Sequence, residues 1–139
     1  TKRYSVNVLP GYSFIRICSF FGGVGMENKL VQEIYLLHEQ VCDALGNPCR
    51  VMILYTLREK PRFVTDIAAE LKLPQSSISR HLKVLRDSGL VQPQRDGAIV
   101  YYHLTDYRVI EALDLLRGIM SDRLMKQAKI ADAAHHPSI

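Results

Sequence analysis

No run of apolar residues in this sequence reaches the roughly 18 needed to cross a bilayer, which argues against a membrane protein. Cysteine is scarce. Cys18, Cys42 and Cys49 are too few, and odd in number, for a secreted disulfide framework, so a cytoplasmic protein is expected. No Ser-His-Asp or Cys-His nucleophile arrangement has independent support. The only glycine-rich stretch, Gly22-Gly23-Val24-Gly25, lacks the strand and helix that would make it a phosphate loop. An enzyme is therefore set aside. Internal repeats are absent, and the positive balance is modest, +4 over 139 residues. That length suits one domain with its own core, with or without arms.

Residues 1–25 look unlike the rest. Lys2 and Arg3 precede an apolar run from Phe14 to Phe21, as in a signal peptide, but Arg16 interrupts the run and no Ala-x-Ala site follows. These residues read as an extended N-terminal arm or a non-native extension, with the globular unit beginning at Met26 and extending to Gln127. Beyond that, Ala-rich sequence leads into His135-His136-Pro137-Ser138, and residues 128–139 read as a flexible tail.

Within the globular unit, Leu30, Ile34, Leu37, Val41 and Leu45 recur at three and four residues, the stripe of a helix over about 30–45 that Gly46 stops. Asn47-Pro48 starts another helix, with Asn as N-cap and Pro at the first helical position, where its missing N–H costs nothing. Val51, Ile53, Leu54 and Leu57 make that helix almost wholly apolar, hence central. A short helix over 63–71 follows, then the turn Leu73-Pro74 and a helix over 75–87 that Gly89 ends. Two β-rich runs, 90–95 and 99–104, flank an Asp96-Gly97 hairpin signal, and Pro93 marks the first as an edge strand. Thr105 is placed to cap a last helix striped by Val109, Leu113, Leu116, Met120 and Leu124.

These elements describe a mainly α fold, a winged helix-turn-helix with a two-stranded wing. In the helix over 75–87, Ile78, Leu82 and Leu85 lie behind a polar front suited to the major groove. Gln75, Ser76, Ser77 and Ser79 offer amide and hydroxyl groups to base edges, and Arg80 joins them. For Ser77, helix capping or plain solvation is the alternative. His81 is read as a phosphate donor, a packed ring or a solvated one, and Lys83 and Arg86 as phosphate contacts or surface charge. Arg95, at the wing tip, is placed to meet phosphate or the minor groove, whereas Tyr101 and Tyr102 brace the sheet. Lys72, Arg80, Lys83, Arg86 and Arg95 stand against the single acid Asp87, so this segment is locally basic.

The first and last stripes are more apolar surface than a wing and three-helix core can cover. A homodimer through Leu30, Ile34, Leu37, Val41, Val109, Leu113, Leu116 and Met120 buries both. It also presents two reading helices to an inverted repeat in double-stranded DNA. A winged-helix protein-interaction module that does not read DNA specifically is the competing class.

Residues 42–122 resemble the ArsR/SmtB family of winged helix-turn-helix repressors. The resemblance is carried by Ala44-Leu45-Gly46-Asn47-Pro48-Cys49-Arg50, Asp66-Ile67-Ala68, the run from Gln75 to Leu85, Gly89-Leu90-Val91 and the run from Gly97 to Leu104. It implies a homodimeric repressor that holds its operator until an inducer binds. Many zinc sensors of the family carry two acids and two histidines on the last helix. Here Asp106 and Asp122 match the acids, but Arg108 and Ile119 occupy the histidine positions, so zinc is not expected. The cysteine pair of the arsenic, cadmium and lead sensors is missing around Phe63-Val64-Thr65-Asp66, and no cofactor is expected with certainty. Cys42 and Cys49 remain as effector-sensing candidates. Cys49 falls at the second position of a helix, where unpaired N–H groups attract negative charge. The pair admits a thiol-based switch, a soft-metal site completed by His38, or two small thiols used for packing.

Overall fold

A computed structural model of the chain describes residues 28–135. The contacts divide the chain between Tyr35 and Leu36. The expectations for residues 1–25, Cys18 and the last four residues lie outside the described region.

Helix α1 (Asn28–Leu37) runs into a π-helical turn (His38–Cys42) and then α2 (Asp43–Leu45). The expected single helix over 30–45 therefore carries a wider turn, in which the Asp43 N–H donates to the His38 carbonyl five residues back. Such a turn takes up an extra residue and rotates whatever follows. Leu30, Ile34 and Leu37 are exposed, whereas Val41 is half-buried.

The bend to α3 (Pro48–Thr56) forms as the sequence suggests: Pro48 opens the helix and the Asn47 side chain accepts the Cys49 N–H at 2.9 Å. Ile53 and Leu54 of α3 are fully buried, and Leu57 nearly so. The next helix starts later than expected. Arg62–Phe63 is a short strand, β1, and α4 spans Val64–Leu71. Lys72 ends α4 in the left-handed conformation, φ 54°. Its N–H bonds Ala69 O and that of Leu73 bonds Ala68 O, the paired closure of a Schellman motif, made here without glycine.

Helix α5 (Gln75–Asp87) closes the same way, with Gly89 at φ 76° and the Leu90 N–H on Leu85 O. Strands β2 (Val91–Asp96) and β3 (Ile99–Leu104) pair antiparallel, Asp96 opposite Ile99. The loop is thus Gly97-Ala98 rather than Asp96-Gly97. Glycine comes first, at φ 60°, as a type II′ turn requires. Strand order is β1-β3-β2, so the wing has three strands, not two, and Pro93 does sit on an edge. Tyr101 braces the sheet against Phe63, their rings nearly perpendicular with centroids 5.6 Å apart.

Helix α6 (Arg108–His135) is capped by Asp106 rather than Thr105, the Asp106 carboxylate accepting the Arg108 N–H at 2.9 Å. It continues to His135, past the point where a flexible tail was expected. Ile110 and Leu113 join Ile53, Leu54, Ile67, Ile78, Leu82, Leu85 and Val91 in one core, and Val109 packs against it half-buried. Leu113, expected at a dimer interface, is only 8% exposed within the protomer. Beyond it the helix faces solvent: Leu116 is 62% and Met120 57% exposed. The last tie to α3 is polar. The Tyr55 hydroxyl donates to Asp114 at 2.7 Å, and Arg117 lies 5.2 Å from the Tyr55 ring centre. Burial, then the bond to Asp114, pushes the Tyr55 hydroxyl above its ordinary range.

Candidate nucleic-acid interface

The front of α5 is what the burial of its back leaves over. Ile78, Leu82 and Leu85, spaced four and three residues apart, are all fully buried, which fixes the helix's rotation against α3 and α4. Gln75, Ser76, Ser79, Arg80, Lys83 and Arg86 are consequently exposed, and Ser77 and His81 half-buried at the edge. Pro74 precedes α5 with extended backbone and no side-chain cap is made. The serines at its start are thus not engaged as caps, and the capping alternative for Ser77 falls away. Ser77 instead accepts a long hydrogen bond from Arg80 at 3.4 Å.

The cations differ in availability. Lys83 is held by Asp87 at 2.7 Å, and Arg86 approaches the same carboxylate at 3.5 Å. Lys83, followed by Arg86, draws the Asp87 carboxyl below its usual range. A DNA phosphate must therefore compete with Asp87 for both groups. Such exposed pairs are weak, and the exchange costs little. Burial, then the positive charges of Arg50 and Arg80, lowers His81 below the ordinary imidazole range. That shift favours the neutral ring over the cation. Arg95 stands exposed on β2 close to the hairpin turn.

Arg50 was not singled out from the sequence. It lies in the first turn of α3, where the helix dipole disfavours a cation, and that misplacement is the signal that points to it. Its guanidinium reaches back to the carbonyls of Asp43, at 2.9 Å, and Ala44.

The candidate effector residues occupy the same end of the fold. His38 and Cys42 open and close the π turn, and Cys49 lies in the first turn of α3. Both thiols are free, Cys42 exposed and Cys49 half-buried. Within the protomer Cys42 is not packed. Among the described residues no three His, Cys, Asp or Glu side chains are grouped to hold a metal ion. On α6, Arg108 pairs with Asp106 at 2.6 Å and its hydrogen bonds push that carboxyl down to about 2.

Residues 47–92 match the family model described as bacterial regulatory protein, arsR family. The chain is 45% identical over 71 residues to the HTH-type transcriptional regulator NmtR of Mycobacterium tuberculosis, covering 51% of this chain and 59% of that protein. It thus spans less than two-thirds of that relative's length. It is 38% identical over 85 residues to the HTH-type transcriptional regulator MJ1325 of Methanocaldococcus jannaschii, covering 60% of this chain and 96% of that one. Among solved structures, the fold is similar to a homodimeric winged helix-turn-helix DNA-binding domain, Mb0332 of Mycobacterium bovis. The TM-score is 0.61 at 24% identity, over 84% of this chain and 98% of that one. No helix among the described residues is long and apolar enough to cross a membrane.

Proposed function

Because the chain belongs to the ArsR/SmtB family of winged helix-turn-helix regulators, we propose that it is a homodimeric repressor that reads an inverted repeat through α5 and releases it on a thiol-based signal. The relatives it matches are transcriptional regulators and not enzymes. The observation that carries the DNA reading is the division of α5: a fully buried Ile78-Leu82-Leu85 back against an exposed Gln75, Ser76, Ser79 and Arg80 front. A helix so anchored presents small polar groups at a fixed angle, as groove readout requires.

This assignment separates base contacts from phosphate contacts. With a duplex of roughly 12 to 20 base pairs selected from a randomised pool, Gln75→Ala or Ser77→Ala is expected to erode discrimination against scrambled DNA by about 1 to 3 kcal/mol. Lys83→Ala should weaken both duplexes alike and flatten the salt dependence. Fluorescence anisotropy on the two duplexes over a salt series checks this. A protein-interaction module would bind neither duplex preferentially.

For the signal, the free and exposed Cys42 supports a thiol at the surface, with Cys49 across the Gly46-Asn47-Pro48 bend. A soft metal on His38, Cys42 and Cys49 would need a convergence of donors that the described residues do not make. The reduced protein is expected to bind its selected duplex, and persulfide or oxidant to lower affinity by at least about tenfold, a coupling of about 1.4 kcal/mol. Cys42→Ser and Cys49→Ser should each remove the response and leave reduced-state binding nearly intact, while Cys18→Ser should leave both unchanged. Duplex titration with mass spectrometry of the thiols decides it. Unchanged affinity in every treatment contradicts a thiol signal.

A further inference from the structure

One side chain fastens the bend between the two thiols. The Asp43 carbonyl oxygen receives the Gly46 N–H at 3.2 Å and the Arg50 guanidinium at 2.9 Å. A Cβ at Gly46 would stand 3.3 Å from the same oxygen, so the turn has little slack. The Ala44 carbonyl takes a second bond from Arg50. Both carbonyls lie in α2, the last turn of the helical run that begins at Asn28, where partners within the helix run out. A forked cation that bonds both offsets the negative pole of α2. Asp43 directly follows Cys42, and Arg50 directly follows Cys49. Each thiol is therefore the sequence neighbour of a clamp residue, and a change at either sulfur acts on residues that form it.

Beyond the clamp lies the reading helix. Helix α3 packs against α5, Ile53 and Leu54 sharing one core with Ile78, Leu82 and Leu85. The charge of Arg50 is also felt by the His81 ring on α5, together with that of Arg80.

We propose that Arg50 is a positioning residue that passes the state of the Cys42–Cys49 bend to α5. With the clamp closed, α3 and the reading helix hold the arrangement that fits DNA. With the bend displaced, the guanidinium leaves the α2 carbonyls and that arrangement loosens. The signal half of this rests on the thiol reading above, whereas the effect on DNA rests on the clamp alone.

The test uses the full chain as wild type, Arg50→Gln and Arg50→Lys. Each is titrated with the selected and a scrambled duplex, before and after diamide, which takes up the two hydrogens lost as an S–S bond forms between Cys42 and Cys49. The His81 ring is followed by NMR against pH. Arg50→Gln is expected to bind the selected duplex about tenfold more weakly while scrambled binding changes less than about twofold. Its affinity should no longer respond to diamide, although the thiols still react by mass, and His81 should titrate higher because a like charge has gone. Arg50→Lys keeps the charge but cannot fork across both carbonyls. Its His81 should titrate as in wild type, with an intermediate loss of affinity; if Arg50→Gln does not fold, this variant alone decides. Wild-type affinity for the selected duplex in Arg50→Lys, or in a folded Arg50→Gln whose His81 does not move, overturns the proposal. Loss of duplex affinity with the His81 shift, in a protein whose wild type ignores diamide, upholds the positioning role and refutes the thiol signal.

Discussion

Leu116→Glu, alone or with Met120→Glu, is expected to give a folded protein that neither dimerises nor holds its operator. Both side chains are more than half exposed in the protomer, in company with Leu115, Ile119, Leu124 and Met125. A carboxylate there costs the isolated protomer almost nothing. In a two-fold interface it is buried beside its symmetry mate, and an unpaired buried charge costs on the order of 3 to 5 kcal/mol. Association of the protomers should weaken by a hundredfold or more by that arithmetic, and operator binding should fall with it, because one protomer offers one reading helix. Sedimentation and duplex titration on the same samples check the pair of effects. A variant that remains dimeric at micromolar concentration would place the interface elsewhere.

Leu113→Ala is expected to do the opposite, destabilising the protomer itself. Three residues before Leu116 on the same helix, Leu113 belongs to the core that holds Ile53, Leu82 and Leu85. Truncating such a leucine loses its transfer free energy and leaves a cavity, together about 2 to 5 kcal/mol. For a domain of this size that lowers Tm by at least about 5 °C. Leu113→Glu should prevent folding outright, since the carboxylate has no partner in that core. Thermal unfolding by circular dichroism separates the two positions: a large loss at Leu113 and a small one at Leu116. Equal, small losses would contradict the burial of Leu113.

That contrast shows why part of the fold was legible in the sequence and part was not. Periodicity finds a stripe but not what covers it, so Val109, Leu113, Leu116 and Met120 read as one interface although the protomer's own core takes Leu113. Signals carried by a single residue's chemistry served well: Asn47-Pro48 at a helix start, Gly89 at a helix end and Pro93 on an edge strand. Signals that depend on competition between neighbours served less well. Asp106 outcompetes Thr105 as a cap, Gly97-Ala98 replaces Asp96-Gly97 as the hairpin loop, and Lys72 adopts a conformation that glycine usually supplies. The π turn has no local signature, because an apolar stripe tolerates one inserted residue. Two-residue β1 is too short to carry a pattern. In the candidate site, the exposed face of α5 was readable, since burial of the back dictates the front. The Lys83–Asp87 pair follows the i,i+4 spacing of a helix and was open to reading, whereas the reach of Arg50 across the bend depends on side-chain direction, which spacing does not encode.

The most direct test of sequence-specific DNA reading through α5 is a competition titration of the wild-type protein at one moderate salt concentration, between the selected inverted repeat and a scrambled duplex of equal length. The inverted repeat is expected to bind about a thousandfold or more tighter, as specific readers do. Equal affinity for the two duplexes would contradict it.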